Sequence, residues 1–265
     1  MSEAIVDLLN KGVVLFQAAS VMVFQISENI VAKATIETYA LTEYNSLSYL
    51  RKHLPGVPTP EPHGVVSVGP LCLLFTSMVS GTTLEAAWPR LNDTQKGTVR
   101  DELDDIFSRL RSLPRPEGMP LGGVGGEGCK DARRGLRVNT KPIMDVDQFV
   151  DFIFAGSKTA SSAYTSFLRG MVPKTPANCV FTHGDFRPAN IIVGEEDGTW
   201  SVVGVLDWET SGFYPEYWES VKITNNLTAS DNSDWYQYLP ASISPQRYPD
   251  WWLVDRVWDR SMDNS

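Results

Sequence analysis

Residues 181–190 read FTHGDFRPAN, and residues 191–209 continue as IIVGEEDGTWSVVGVLDWE. The apolar run 191–193 predicts a short strand, EEDG a turn, and SVVGVLDW a second strand. A hairpin returns its two ends to one place, so Asn190 at its entrance and Asp207 at its exit are brought close although 17 positions separate them. Asp185 precedes both on a loop. An amide oxygen and a carboxylate, with no thiolate or imidazole among them, suit Mg²⁺, which takes oxygen ligands. In that arrangement Asp185 can accept or orient the proton of an attacking hydroxyl. Asn190 and Asp207 can hold Mg²⁺ against the phosphates of a nucleotide.

The rest of the chain limits what such a site can serve. With 265 residues, 42% hydrophobic and 21% charged, it is long enough to build a real core. A net charge of −9 argues against broad binding to a nucleic-acid backbone. Three cysteines (Cys72, Cys129, Cys179), widely spaced and without CxxC, predict neither a disulfide framework nor a zinc site. Residues 1–12 lack a basic n-region, and the apolar stretch 12–24 is too short to span a bilayer. A cytoplasmic protein with a small-molecule partner is expected, with neither membrane nor nucleic acid involved.

Along the chain, the Val/Ile/Phe-rich segment 13–35 predicts two or three strands joined by hairpins, with a turn at SEN, 27–29. Leu41, Tyr44, Leu47, Leu50 and Leu54 follow a helical period, with Thr42 as its cap and Glu43 in its first turn. Two more strands are expected over 65–79 after a proline-rich connector. Val99, Leu103, Ile106, Leu110 and Leu113 mark a helix, 114–142 a Gly/Pro-rich loop, and 145–171 further helix. The fold class is therefore α+β: a β-rich lobe over 1–79 and a mainly helical lobe over 80–265.

HGDFRPANIIV…VGVLDWE, followed by FYPEYWESVK at 213–222, resembles the aminoglycoside phosphotransferase and choline kinase family of small-molecule kinases. The resemblance extends over nearly the whole chain and is strongest over 181–222. It implies a protein-kinase-like two-lobed fold that binds ATP. It makes Asp185 the catalytic base and Asn190 and Asp207 the metal ligands. It also calls for a lysine on the nucleotide phosphates, held by a helix glutamate. Lys33 in NIVAKA fills the first role and Glu43 the second, with Glu37 a rival if the helix starts earlier. Backbone groups near Ser77 and Val79, in TSMVSGTTL, would meet the adenine edge. His183 supports the catalytic loop, and Glu209 serves a metal's outer shell, a substrate cation, or neither.

The same resemblance places a phosphate-covering loop at Ala18, Ala19 and Ser20, where related sequences carry glycine. Alanine presents N–H groups in fewer backbone conformations. A formal GxGxxG at Gly123, Gly125 and Gly128 lacks the preceding strand and following helix of a dinucleotide site, and reads as an insertion. Five of the eight tryptophans lie from Trp218 onward, interleaved with acids. They suit either a helical core or a cage for an amine. Two functions follow: an ATP- and Mg²⁺-dependent kinase of a small-molecule hydroxyl, or a kinase fold without phosphotransfer, adapted to bind a metabolite or perform other chemistry.

Overall fold

A computed structural model describes residues 2–18, 20–69, 71–133, 135–174 and 178–262. The chain forms two compact units, 1–99 with 187–210, and 100–186 with 211–265. The boundary expected at 79–80 thus lies inside the first unit. The hairpin at 191–205 returns to that unit because its first strand pairs with residues 82–83.

The elements run α1 (Ser2–Lys11), β1 (Val13–Gln17), β2 (Met22–Gln25), β3 (Ile30–Thr35), α2 (Glu37–His53), β4 (Pro62–Val68), β5 (Leu71–Ser77), β6 (Thr82–Thr83) and α3 (Leu84–Ala87). After α4 (Asp93–Arg111) come β7 (Lys130–Asp131), β8 (Arg137–Val138), α5 (Val146–Phe154), α6 (Ser162–Met171) and β9 (Cys179–Thr182). β10 (Ile191–Glu196), β11 (Thr199–Val205), β12 (Gly212–Pro215), α7 (Trp218–Lys222) and α8 (Pro249–Met262) complete the chain.

The first unit is built on a five-stranded antiparallel sheet in the order β1-β2-β3-β5-β4. Its centre is β3, whose Lys33 lies opposite Val23 on one side and Leu74 on the other. Ala32, Ala34, Leu73 and Leu74 are buried, as the strand period requires of central strands. Helix α2 starts at Glu37 rather than near Thr42. Thr42 is no cap: it lies inside the helix and its hydroxyl donates to the Thr38 carbonyl at 2.9 Å. A second sheet orders β11-β10-β6. Its hairpin turns on Asp197 and Gly198, both at positive φ (50° and 79°), the backbone that a two-residue turn between twisted strands prefers.

The second unit packs helices around the pair β9–β12. One helix was expected over 145–171; there are two, α5 and α6, capped by Asp145 and Ser161. The Gly-rich segment is fixed in place: Gly122 exchanges backbone hydrogen bonds with Phe213 at 2.8 and 2.9 Å. A Cβ at Gly212 would meet the Gly122 carbonyl at 2.0 Å, so the glycines there serve close backbone approach. Trp218, Trp235 and Trp258 are core residues, and Trp251 stacks on Tyr217 with centroids 3.6 Å apart. Asp255, the buried acid among them, bonds to Arg133 at 2.7 Å. Three of the late tryptophans, Trp218, Trp235 and Trp258, are thus core residues. Among the described residues no helix is long and apolar enough to cross a membrane.

Candidate active site

In the first unit one amine gathers three carboxylates. Lys33 Nζ lies 2.7 Å from Glu43 Oε2, 2.5 Å from Asp207 Oδ1 and 2.8 Å from Glu209 Oε2. The sheet presents Lys33 and α2 presents Glu43 from its second turn. Glu37, the rival partner, is exposed in the first turn. The other oxygen of Glu43 accepts the backbone N–H of Trp208 at 3.3 Å, so one glutamate fixes both the lysine and the chain beside Asp207. The hairpin does what its pattern implied. Ile191 pairs with Val205, and the Leu206 N–H donates to the Asn190 carbonyl at 2.8 Å, which carries the pairing to the residue before Asp207. Asp207 itself takes φ 67°, a left-handed backbone that aspartate and asparagine tolerate better than most residues.

Three carboxylates about one ammonium leave an excess of negative charge in a site with little water. Burial and the neighbouring Asp207 push the Glu209 carboxyl up to about 7 against the pull of Lys33. Burial also raises Glu43, while the carboxylates outweigh burial at Lys33 and keep its ammonium charged.

In the second unit, β9 ends at Thr182 and the chain turns through His183, Gly184 and Asp185. Gly184 is at φ 87°. The turn is gripped from below by Glu219 of α7, only 1% exposed. Its carboxylate accepts the His183 N–H at 2.6 Å and the Gly184 N–H at 3.2 Å. Burial raises Glu219 to about 7 despite these bonds. The Asp185 N–H donates to His183 Nδ1 at 3.2 Å, so His183 does support the loop. Sequence reasoning assigned Glu219 no role. The one signal was an acid between Trp218 and Ser220, next to the apolar Val221, a place where a carboxylate must find donors if it is buried.

The family model described as the phosphotransferase enzyme family matches residues 34–251. The chain belongs to that family. The match spans Glu43, Asp185, Asn190 and Asp207 and begins one residue after Lys33. Solved structures of phosphotransferases share the fold. A thermostable mutant of aminoglycoside phosphotransferase APH(4)-Ia in its apo form superposes with TM-score 0.64 at 13% identity, covering 100% of this chain and 92% of that one. The GDP and kanamycin complex of APH(2")-IIia gives 0.61 at 12% identity, covering 96% and 84%. An aminoglycoside-3'-phosphotransferase of type VIII gives 0.59 at 16%, covering 99% and 98%. No curated protein sequence matches the chain.

The backbone groups expected from the sequence to meet a nucleotide are partly engaged within the fold. The Ala18 N–H is engaged by the Val21 carbonyl at 2.9 Å, closing a tight turn between β1 and β2. Ala19 lies outside the described residues, and Ser20 is exposed. The Ser77 N–H donates to the Glu61 carbonyl at 2.9 Å and its hydroxyl accepts the Glu61 N–H, so Ser77 is used internally. Val79 has no backbone hydrogen bond among the described residues. Its side chain packs against Gly204, where a Cβ would meet it at 2.6 Å.

The donor chemistry fits a hard divalent cation. Ligand oxygens of Glu43, Asp207 and Glu209 lie within 4.8 Å of one another, and Asn190 stands at the other end of the hairpin from Asp207. All are oxygen donors, and their excess negative charge is what Mg²⁺ would offset.

Proposed function

We propose that the protein is an ATP- and Mg²⁺-dependent phosphotransferase acting on a hydroxyl group of a small molecule. The observation that carries this reading is the charge cluster of Lys33 with Glu43, Asp207 and Glu209. A buried lysine held by a helix glutamate and shared with a carboxylate at a hairpin end suits phosphate binding beside a cation. As a purely structural ion pair it would be over-supplied with acid.

In this reading Glu43 aims Lys33, whose ammonium binds phosphate oxygens of the nucleotide. Asp207 and Asn190, with Glu209 beside them, would hold Mg²⁺, which when bound supplies charge neutralisation on the phosphates. Asp185 accepts the acceptor's hydroxyl proton as its oxygen bonds to the γ-phosphorus and the bond to the β-phosphate oxygen breaks, releasing ADP. Glu219 and His183 keep the Asp185 turn in one conformation, so its carboxylate need not reorganise during the transfer.

One observation favours a second reading, a kinase fold without phosphotransfer: the N–H groups of Ala18 and Ser77 are already spent. Titrating the protein with Mg·ATP while following its melting temperature separates the two. A ligand bound to the folded state alone must raise stability. A saturable, Mg²⁺-dependent rise supports the kinase; no rise at millimolar Mg·ATP removes it.

A further inference from the structure

Helix α8 carries a surface stripe that reads the same in reverse, apart from the sign of its charges. Asp250, Leu253, Val257 and Arg260 follow one another at spacings of three, four and three residues, so they share one face of the helix. All four are exposed, Leu253 at 55% and Val257 at 44%, while Trp258 and Met262 bury the opposite face. Neither the Asp250 carboxylate nor the Arg260 guanidinium has an ion pair or a hydrogen bond among the described residues. The apolar middle of the stripe continues onto α6. Tyr164, Phe167 and Met171 lie one above another there, Phe167 at 66% and Met171 at 56% exposed. The Tyr164 hydroxyl lies 3.5 Å from the Val257 carbonyl oxygen, which sets the two helices side by side. The one charged residue of α6, Arg169, is paired with Asp151.

We propose that this face joins two copies of the chain about a two-fold axis, with α8 antiparallel to its counterpart. An isologous contact needs a surface that complements itself. An axis level with position 255 of α8 places Asp250 opposite Arg260 of the partner subunit and Leu253 opposite Val257 of the partner subunit, because both pairs are centred on that position. Opposite charges then close each end of an apolar seam, flanked by Phe167 and Met171. The area agrees. Taking about 180 Å² for a large side chain, the five apolar residues leave roughly 450 Å² open, as large as functional patches on monomeric proteins. Two such faces remove roughly 900 Å², and with their polar rims they reach the roughly 1,000–1,200 Å² at which specific association begins. A lipid surface would cover the apolar middle but leave the reversed charges without a purpose. The proposal stands apart from the kinase reading.

The test follows the full chain by sedimentation velocity from about 1 to about 200 μM, which brackets association of this strength. The wild type is expected to pass from monomer to dimer across that range. Leu253→Asp should stay monomeric, since it sets a carboxylate against Val257 of the partner subunit twice in each dimer. Asp250→Arg and Arg260→Asp should each associate about tenfold or more weakly than the wild type, because like charges then meet at both ends of the seam. Mixed in equal amounts, these two chains should recover the association, as each arginine of one then faces an aspartate of the other. All three substitutions are at exposed positions, and a melting curve for each confirms that the chain is folded. A wild type that is monomeric throughout, a dimer that persists in Leu253→Asp, or a mixture no stronger than its components overturns the proposal. A monomeric wild type that sediments with phosphatidylcholine vesicles overturns it too, and gives the face to lipid.

Discussion

Lys33 holds together a site that would otherwise repel itself. Replacing it with Met leaves Glu43, Asp207 and Glu209 facing one another with no cation among them. A loss on the order of 3 kcal/mol is expected at pH 7.5, as for other broken buried pairs. The loss should shrink at pH 5.5, because protonated carboxyls no longer repel, and Mg²⁺ should restore part of it at pH 7.5. Urea unfolding at both pH values, with and without Mg²⁺, checks this; a pH-independent loss would show that the carboxylates do not share one field. Asp185→Asn keeps the shape of the loop and removes the proposed proton acceptor. Turnover is expected to fall by about 10²–10⁴ with Mg·ATP binding retained. Asp207→Asn tolerates the same positive φ as the wild type, so its effect on Mg²⁺ affinity isolates the charge. Mg²⁺ titration at fixed ATP should show a larger loss there than in Asn190→Ala, and equal losses would reverse the assignment of the hairpin ends.

Helix α7 is five residues long, yet it ties the His183–Asp185 turn of its unit through Glu219. The burial of that carboxyl has a pH signature. The Glu219 carboxyl lies near 4.5 when the chain is unfolded and about 7 when folded. The folded state therefore holds the extra proton between these values, and stability is fully present below about 4.5 and declines as pH rises towards 7. The decline is on the order of 3 kcal/mol for a shift of this size. Chemical unfolding across pH 4.5–8 should show a shallower slope in Glu219→Gln; identical slopes would mean that another group carries the dependence. At the β10–β11 turn, Gly198 has open space around its Cα and a φ of 79°, so Gly198→Ala tests backbone strain alone. A cost of about 1 kcal/mol is expected.

The two compact units exchange segments of chain, since 187–210 joins the N-terminal residues although the sequence between belongs to the other unit. Lys33, Glu43 and Asp207 meet only because of that return, across 174 positions between Lys33 and Asp207. A nucleotide bound on this cluster would stabilise the first unit directly. At about one hundred times its dissociation constant, Mg·ATP is expected to add about 2.7 kcal/mol. Two separate melting transitions, with Mg·ATP moving only the lower or the higher, would show that the units unfold independently. One transition moving as a whole would show a single cooperative molecule.

The hairpin that joins Asn190 to Asp207 was legible in the sequence because it is local: two apolar strands, an Asp-Gly turn and two polar ends within 18 residues. The β-rich start, the helix at 93–111 and the pairing of Lys33 with Glu43 were legible through periodicity and family resemblance. The start of α2 was not, since no side chain caps Ile36 and the helix is held by packing rather than by a terminal signal. The grip of Glu219 on His183 and Gly184 and the use of the Ala18 and Ser77 N–H groups inside the fold were decided by tertiary structure. Each depends on which distant group a buried donor or acceptor finds, and local patterns carry no record of that choice.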